Sequence, residues 1–455
     1  MSVKCFTDIT AVTLDPAEVW QGAIRTEDDI ILEAGPAVQP GPNDEVASLP
    51  GRIVTPALVV AHHHLYSALA RGMPAPNRKP TSFPDILEYV WWVLDRALDG
   101  PLNEASAQAG LLSALRCGVG AVVDHHASPA AIPGSLDRIG SAYEQFGMRG
   151  ILCYEVSDRW GPADGLAGVV ENERFAGTCG RHPLLRAAMG AHASFTIGDE
   201  TFDALARACE RSGAPIHIHV LEDASDRTES LRRYGADPIA RLDQRGLLRE
   251  GALLAHCVHV TESEMDRLGE TRPWVLHNPR SNMNNHVGRT PLAGLMERAV
   301  PVALGTDGID GDMITEARAA FFRGQEDPHP PAFDAALTML SEGHAILRRS
   351  FGKPFGRLEP GAPADLTFFD YDPPTPLTAQ NLAGHILFGG MGPQTVESVM
   401  VAGRFLMKNH EILTMDEASV LHDTRTEAAR LWEAMRRIAK NDQEGRDPRN
   451  QGHEA

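Results

Sequence analysis

Residues 57–64 read ALVVAHHH, a run of small and branched apolar residues that ends in three histidines. Such a run predicts a buried strand, on which alternate side chains point to the same side. His62 and His64 therefore face one side and His63 faces the other. Two imidazoles one residue apart can both reach one cation. The stretch predicts a metal site at a strand end, although three histidines could also simply cap the strand.

Seven further apolar runs follow this strand, and helical stretches such as Thr201–Glu210 lie between them. The runs are GAVVDHH, GILCYEV, RAAMGAH, PIHIHVLE, ALLAHCV, WVLHNP and VALGTDG. Alternating strands and helices predict a parallel α/β fold. Eight strands within about 300 residues favour a closed (β/α)8 barrel of the TIM type. A doubly wound sheet would usually carry a Gly-rich phosphate turn after its first strand, and the sequence has none.

The two ends of the chain have a different pattern from its middle. Residues 1–55 read as short strands separated by turn residues, and so does the sequence after Gly352. We expect residues 1–55 and 355–412 to form one small β-sandwich domain, with the barrel in residues 56–354. Residues 413–455 predict a C-terminal helix, and the last fifteen residues predict a disordered tail.

Composition excludes several classes of protein. The 455 residues carry a formal net charge of −19, whereas nucleic-acid binding favours basic surfaces. No stretch approaches the roughly 20 apolar residues of a membrane span, and the N-terminus has no signal pattern. The six cysteines are scattered, which favours a reducing cytoplasm. We expect a cytoplasmic protein that acts on a small molecule. The oligomeric state stays open, with a homodimer as one option.

Polar side chains end several of the predicted strands, where barrel enzymes build their active sites. His219 ends PIHIHV as a third metal ligand, and Glu222 follows it as a proton carrier. His256 ends ALLAH, where a neutral imidazole can polarise a substrate. Asp307, in the turn TDG, can bind the metal and accept a proton from its water. His62, His64, His219 and Asp307 thus form the predicted ligand set for one divalent ion. Zinc suits these ligands best, and iron or manganese are alternatives.

Other strand ends supply candidates for substrate binding. His126 follows Asp124 and His125, His192 lies in GAHASFT, and His277 and Arg280 lie in HNPRSNMN. A guanidinium suits an anionic or carbonyl group of a substrate, so Arg280 is a candidate for that contact. A surface salt bridge is an equal alternative for Arg280.

At these residues the chain resembles the amidohydrolase superfamily, in its cytosine deaminase/chlorohydrolase branch. The stretches AHHHLYSALARGMPAP, VVDHHASP, GAHASFT and HNPRSNMNN are most similar to the SsnA-type aminohydrolases. The resemblance covers nearly the whole chain and implies the same metal ligands, with Glu222 as proton shuttle and His256 orienting the substrate. One departure is Pro56-Ala57, where the family usually has Pro-Gly.

The expected reaction is hydrolysis of a carbon–nitrogen bond that is not a peptide bond. Metal-bound hydroxide would attack a carbon of an aminopurine-like or aminopyrimidine-like ring, with Glu222, His256 and Asp307 as catalytic residues, and ammonia would leave. A ring-opening cyclic amidase of the hydantoinase type is one alternative. Such enzymes often bridge two metals with a carboxylated lysine, but no lysine lies between Lys79 and Lys353. A catalytically inactive barrel that binds a partner is another alternative.

Overall fold

The computed structural model describes residues 3–446. The chain begins with five strands whose buried positions are mostly apolar and β-branched or aromatic, as a sheet with a packed face requires. They are β1 (Lys4–Leu14), β2 (Ala17–Glu27), β3 (Ile30–Gly35), β4 (Glu45–Ser48) and β5 (Arg52–Pro56).

Nine mostly buried strands follow, and all of their mutual pairings are parallel. They are β6 (Leu58–His63), β7 (Val119–His126), β8 (Arg149–Tyr154), β9 (Leu185–Ala187), β10 (Met189–Ala193), β11 (Ile216–Val220), β12 (Leu253–His256), β13 (Trp274–His277) and β14 (Val302–Leu304). They form two sheets, β6-β7-β8-β9 and β10-β11-β12-β13-β14. Single bridges join the two sheets, between His63 of β6 and Asp307 after β14 and between Val156 after β8 and Ala191 of β10.

Helices separate and flank these strands. They are α1 (Phe83–Ile86), α2 (Trp92–Ala97), α3 (Gly100–Arg116), α4 (Ser135–Phe146), α5 (Pro162–Cys179), α6 (Asp199–Ser212), α7 (Ala224–Tyr234), α8 (Pro238–Gln244), α9 (Glu262–Thr271), α10 (Pro279–Asn284), α11 (Leu292–Glu297), α12 (Met313–Gly324) and α13 (Ala335–Phe351). A π-helical segment, Leu87–Trp91, joins α1 to α2. The alternation of strands and helices confirms the predicted parallel α/β core.

The run RAAMGAH, predicted as one strand, is two strands. β9 pairs with β8, whereas β10 pairs with β11, and the change of partner occurs at Ala188. The backbone N–H of Ala188 donates to Leu152 O, and that of Met189 donates to Pro215 O. The strand therefore changes neighbours within one residue.

The last part of the chain returns to the N-terminal sheet. It contains β15 (Leu366–Asp370), α14 (Leu382–Leu387), β16 (Val396–Val401), β17 (Arg404–Lys408), β18 (Glu411–Ile412) and α15 (Glu417–Arg446). β15 pairs antiparallel with β5, so both chain ends share one nine-stranded mixed sheet.

The disordered tail was predicted to begin at residue 441, but α15 continues through Arg446. Trp432 on α15 donates from Nε1 to Leu69 O at 2.8 Å, and Arg430 pairs with Asp99. These contacts hold α15 against the segment after β6 and the start of α3. Residues 447–455 of the predicted tail lie outside the described residues.

Candidate metal and active site

The ends of β6 and β14 meet at the centre of the site. His62 O accepts hydrogen bonds from the backbone N–H groups of Thr306 and Asp307, and His64 N donates to Asp307 O at 3.1 Å. Asp307 has a φ of 52°, in the left-handed region that few residues other than glycine adopt. These bonds hold the strained turn, and the turn directs the Asp307 carboxylate back towards the histidines.

The four predicted metal ligands lie together. His64 Nε2 lies 3.0 Å from Asp307 Oδ1 and 3.1 Å from His219 Nε2, and His62 Nε2 lies 3.6 Å from the same Asp307 oxygen. Ligand atoms bound tetrahedrally at about 2.0–2.1 Å from a zinc ion lie roughly 3.3 Å apart. The spacing of these side chains therefore fits one divalent ion between them.

The hydrogen bonds of the outer ring nitrogens determine what the inner nitrogens present. His64 Nδ1 donates to His125 O at 2.6 Å, and His219 Nδ1 donates to His192 O at 2.9 Å. In the neutral rings both Nε2 atoms therefore carry lone pairs, and these lone pairs face each other at 3.1 Å. Two facing lone pairs repel unless a positive charge lies between them. Such outer hydrogen bonds are typical of metal-binding histidines.

The pKa shifts of the four proposed ligands are consistent with a positive charge between His64 and His219. Burial alone would lower the pKa of His64, but its hydrogen bond to Asp307 raises it to about 9. Burial alone would raise the pKa of Asp307, but His62 and His64 hold it well below its usual value. Burial keeps the pKa of His62 and His219 well below that of free imidazole. The cluster thus combines an ionised carboxylate with imidazoles, and a cation can replace the proton on His64.

Glu222 and His256 lie beside this cluster. His256 Nε2 is buried without a hydrogen-bond partner among the described residues, 3.5 Å from Glu222 Oε2. It also lies within 4.8 Å of the ligand atoms of His62, His219 and Asp307. Burial raises the pKa of Glu222 to about 7, although His256 lowers it. The carboxyl group can therefore accept and release a proton near neutral pH.

Hydrogen bonds of the Leu221 backbone stabilise the turn that carries Glu222. Leu221 has a left-handed φ of 50°, and its backbone N–H donates to Asp226 Oδ2 at 2.7 Å. Leu221 O accepts from the N–H groups of Val258 and His259, in the loop that follows His256. The loops after β11 and β12 are thus joined at one peptide group.

Two side chains on α10 and one at its C-terminal end form hydrogen bonds with Asp307, His256 and Glu222. None of the three was predicted from the sequence. Ser281 Oγ donates to Asp307 Oδ2, and Asn285 Nδ2 donates to Glu222 Oε1 at 3.3 Å. Asn282 Oδ1 accepts from His256 Nδ1 at 2.8 Å. The polar run SNMNN directly after a predicted strand end was a signal for such a role. The hydrogen-bond partners of the side chains in this run depend on the direction of α10, which the sequence does not give.

Two further histidines, His217 and His125, contact the proposed ligands on the side away from the metal position. His217 Nε2 lies 2.8 Å from His62 Nδ1, and His125 Nε2 lies 3.1 Å from both Ala191 O and His217 O. His125 Nδ1 lies 3.2 Å from Glu155 Oε2. Both ring nitrogens of His125 therefore face oxygen atoms, and one of these belongs to the buried carboxylate of Glu155.

A cavity opens beside the cluster. Aromatic residues form much of its wall, including Phe83, Trp91 and Trp92 from the segment around the π-helix. The cavity wall also holds Asp95, Glu155 and Arg159, with Arg159 Nη2 3.3 Å from Asp95 Oδ2 and 2.8 Å from Glu155 Oε1. The two carboxylates neutralise this arginine, and His64, His219, Glu222 and Asp307 line the inner end.

The predicted substrate residues do not stay together. His192 lines the cavity, with Nδ1 2.8 Å from Thr196 Oγ1. His126 and His277 are buried and lie outside the cavity wall. His126 Nε2 bonds Ser128 Oγ at 2.8 Å, and His277 has no hydrogen-bond partner for its ring among the described residues.

Arg280 also differs from its expected position. Its guanidinium pairs with Asp310 at 2.8 Å and with the buried carboxylate of Glu316, and it does not line the cavity. A salt bridge was the alternative that the sequence left open, but it was expected at the surface, whereas the Glu316 side chain is fully buried. The reason is the direction of α10, which turns Arg280 towards α12 and away from the metal cluster.

Residues 53–406 match the family described as "Amidohydrolase family". The chain belongs to the amidohydrolase family. It is 28% identical over 426 residues to a 5'-deoxyadenosine deaminase of Methanothermobacter thermautotrophicus, covering 92% of this chain and 96% of that protein. It is 30% identical over 403 residues to a 5-methylthioadenosine/S-adenosylhomocysteine deaminase of Halobacterium salinarum, covering 85% and 89%.

Solved structures give the same result for the fold. An adenosine deaminase from Xanthomonas campestris with bound zinc superposes with a TM-score of 0.81 at 25% identity, over 94% of this chain and 99% of that one. The atrazine chlorohydrolase TrzN from Arthrobacter aurescens, complexed with zinc, gives 0.80 at 21% identity, over 93% and 99%. Within residues 3–446, no helix combines the length and apolar character needed to cross a bilayer.

Proposed function

We propose that this protein is a metal-dependent aminohydrolase that releases ammonia from an amino-substituted nitrogen heterocycle, with adenosine-like nucleosides as the substrate class. The observation that carries the proposal is the pair of Nε2 lone pairs of His64 and His219, which face each other beside the Asp307 carboxylate. The names of the deaminase relatives support the choice of reaction.

The two parallel sheets, in this proposal, form one (β/α)8 barrel over residues 56–354. The two bridges support closure, because one joins β6 to the turn after β14 and the other joins the residues after β8 to β10. Residues 1–55 and 355–412 form the separate β-sandwich domain, and residues 413–455 form a C-terminal segment. The shared nine-stranded sheet supports the assignment of both chain ends to one domain.

His62, His64, His219 and Asp307 would hold a single divalent ion. Three imidazoles and one carboxylate suit zinc, with iron or manganese as alternatives. His62 Nε2 is buried and has no hydrogen-bond partner among residues 3–446, which supports this assignment because such a buried polar atom is costly. A bound ion supplies a nucleophile at neutral pH by lowering the pKa of water towards 7.

Glu222 is the proton carrier in this mechanism. Asn285 occupies one of its carboxylate oxygens, so Oε2 is left facing His256 and the cavity. Glu222 would take a proton from the attacking water and deliver it to the leaving nitrogen. Asp307, held by Ser281, would accept the second proton of that water.

His256 and His192 would orient the heterocycle. Asn282 fixes the His256 ring so that Nε2 points to the position between Glu222 and the metal ligands. The aromatic wall of the cavity offers flat surfaces against which a purine ring can stack. The small size of the cavity and its polar inner end support a free small molecule as substrate.

Ammonia release from adenosine, 5'-deoxyadenosine and 5-methylthioadenosine tests the proposal, with a dihydropyrimidine ring as the comparison substrate. We expect ammonia from at least one adenosine derivative and no ring opening of the dihydropyrimidine. Ring opening without ammonia release would contradict the proposal and favour a cyclic amidase. The absence of both reactions in protein with a full metal complement would favour a binding role.

A further inference from the structure

We infer that a groove at the opposite strand ends from the metal site binds a small anion with two or more phosphate groups. Arg149, at the start of β8, lines this groove, whereas Glu155, just beyond the end of β8, lines the active-site cavity. Six residues separate the two positions, which corresponds to about 20 Å along a strand. The groove is therefore a separate site.

The charge of the groove is opposite to that of the whole chain. The chain carries a net charge of −19 and contains five lysines, yet two of those lysines line this groove. Two carboxylates, Asp28 and Asp29, also line it. Against them stand six cationic side chains, Lys4, Arg149, Arg181, Arg186, Lys353 and Arg404. An acidic protein thus has a local surface that attracts anions.

Most of these cations have no carboxylate partner. Lys353 pairs with Asp29 at 2.6 Å, and Arg149 pairs with Asp365 at 2.5 Å. Within the described part of the chain, no carboxylate forms an ion pair with Lys4, Arg181, Arg186 or Arg404, and Arg181 and Arg404 are exposed. These guanidinium groups are free to bind a ligand from solvent.

Arg186 is fixed in place before any anion arrives. Its guanidinium donates to Ser350 O, His182 O and Leu185 O, and it lies 4.3 Å from the ring of Phe351. Arg149 lies 5.7 Å from the same ring, so two guanidinium groups share it. Burial lowers the pKa of Arg186, and the charge of Arg149 lowers it further. A bound anion would relieve this repulsion between like charges.

The far wall of the groove depends on a glycine. Gly403, between β16 and β17, has a φ of 70°, and a Cβ atom there would lie 1.5 Å from Asp28 O. The absence of a side chain lets this turn pack against the turn between β2 and β3. Lys4 Nζ donates to Gly403 O at 3.2 Å, and Arg404 follows. The two turns therefore bring cations of the end sheet towards Arg181 and Arg186.

Size and donor chemistry determine the class of ligand. The groove has a volume of about 780 Å³, so one phosphate cannot contact cations on all of its walls. Guanidinium groups bind phosphate oxygens in pairs, and ammonium groups add point charges. A compact anion with at least two phosphate groups could contact the cations on both walls of the groove.

Calorimetric titration of the metal-loaded protein with pyrophosphate in about 0.15 M salt tests this inference, because such salt screens weak surface attraction. We expect saturable binding at one site per chain. The double variant Arg181→Ala/Arg404→Ala should bind at least ~10-fold more weakly, since each charge-assisted hydrogen bond changes affinity by about that factor. The control, Arg436→Ala/Arg437→Ala, removes two exposed guanidinium groups from α15 and should bind like the unchanged protein.

Pyrophosphate also binds metal ions, so the metal content of each protein is measured before and after titration. All three proteins carry the same metal cluster, and loss of metal would affect them equally. An absence of saturable binding would overturn the inference. Equal affinities of the two double variants would also overturn it, because the groove would then contribute nothing specific.

Discussion

At the residue scale, the histidines of the site differ in what their outer nitrogens contact. His64 and His219 donate to backbone carbonyls, whereas His62 contacts His217 and His256 contacts Asn282. Backbone carbonyls cannot change their protonation, so they fix the tautomer of His64 and His219. Both rings therefore present Nε2 to the proposed metal ion.

The substitution His64→Ala tests the proposed ligand set. It removes one imidazole and the partner of Asp307 Oδ1 at 3.0 Å. We expect metal affinity to fall by more than about 100-fold, which is the upper range for residues that only support a ligand. Metal content after dialysis and ammonia release measure the effect. His422→Ala, an exposed histidine on α15, is the control. A His64→Ala protein with full metal and full activity would refute the assignment.

The substitution Glu222→Gln separates proton transfer from metal binding. Glutamine keeps the shape of the side chain and the contact with Asn285, but it cannot carry the proton. We expect kcat to fall by about 10²–10⁴-fold, the usual contribution of a general acid–base, with metal content unchanged. Glu229→Gln, on the surface of α7, is the matched control. An unchanged kcat in Glu222→Gln would remove this residue from the mechanism.

Asp226 gives a prediction about stability and pH. Burial raises the pKa of Asp226 to about 7, above the value of about 3.9 in an unfolded chain. The folded protein therefore binds the extra proton, and the stability from that proton is lost as pH rises from about 4 through 7. The variant Asp226→Asn lacks this loss. Relative to the unchanged protein, we expect it to gain about 2 kcal/mol in unfolding free energy between pH 5 and pH 8.

Urea unfolding at pH 5, 6.5 and 8 measures this difference. Asp423→Asn, an exposed residue on α15, controls for the loss of one negative charge. A difference between Asp226→Asn and the unchanged protein that stays constant with pH would contradict the prediction.

At the element scale, α10 connects three reactive side chains from three different strand ends. Its own position depends on Arg280, whose backbone N–H donates to Glu316 Oε1 at 3.0 Å and whose guanidinium pairs with the same carboxylate. Glu316 lies on α12 and is fully buried. The Arg280–Glu316 pair therefore fastens the helix that positions Glu222, His256 and Asp307.

The substitution Arg280→Met tests whether this residue stabilises the fold or binds substrate. Removing one partner of a buried pair leaves a buried carboxyl group without compensation, which costs about 3 kcal/mol. We expect the unfolding free energy to fall by about that amount, with KM little changed. Arg298→Met is the control, because Arg298 pairs with the exposed carboxylates of Glu262 and Asp266, worth about 0–1 kcal/mol. A stable Arg280→Met protein with a raised KM would restore the substrate-binding prediction.

Most strands and the polar residues near their ends could be predicted from the sequence, because alternation and strand polarity determine both, although RAAMGAH is two strands and not one. His62, His64, His219 and Asp307 could be grouped on that basis. The direction of a short helix after a strand does not follow from the sequence, so substrate binding and a surface salt bridge both stayed open for Arg280, and Asn285 was overlooked. Asp95 lies on α2, whereas Glu155 and Arg159 follow β8, and the sequence pattern does not predict that these three side chains meet.

At the scale of the whole molecule, the two chain ends meet in one sheet beside the opposite strand ends from the metal cluster. A small β-sandwich domain built from both ends was predicted from their turn-rich sequence, and β5 and β15 pair as neighbours in the shared sheet. The cavity with the metal cluster lies at one end of the parallel strands and the basic groove lies at the other. The chain therefore has two surfaces of different chemistry on one rigid framework.

The most direct test of the central claim is an anomalous-difference map from a crystal of the protein, recorded above and below the zinc absorption edge. The proposal predicts one peak per chain, located between the ring nitrogens of His62, His64 and His219 and the carboxylate of Asp307. No peak at that position in protein that retains its activity would contradict the claim. Two peaks bridged by a shared ligand would contradict the single-metal assignment.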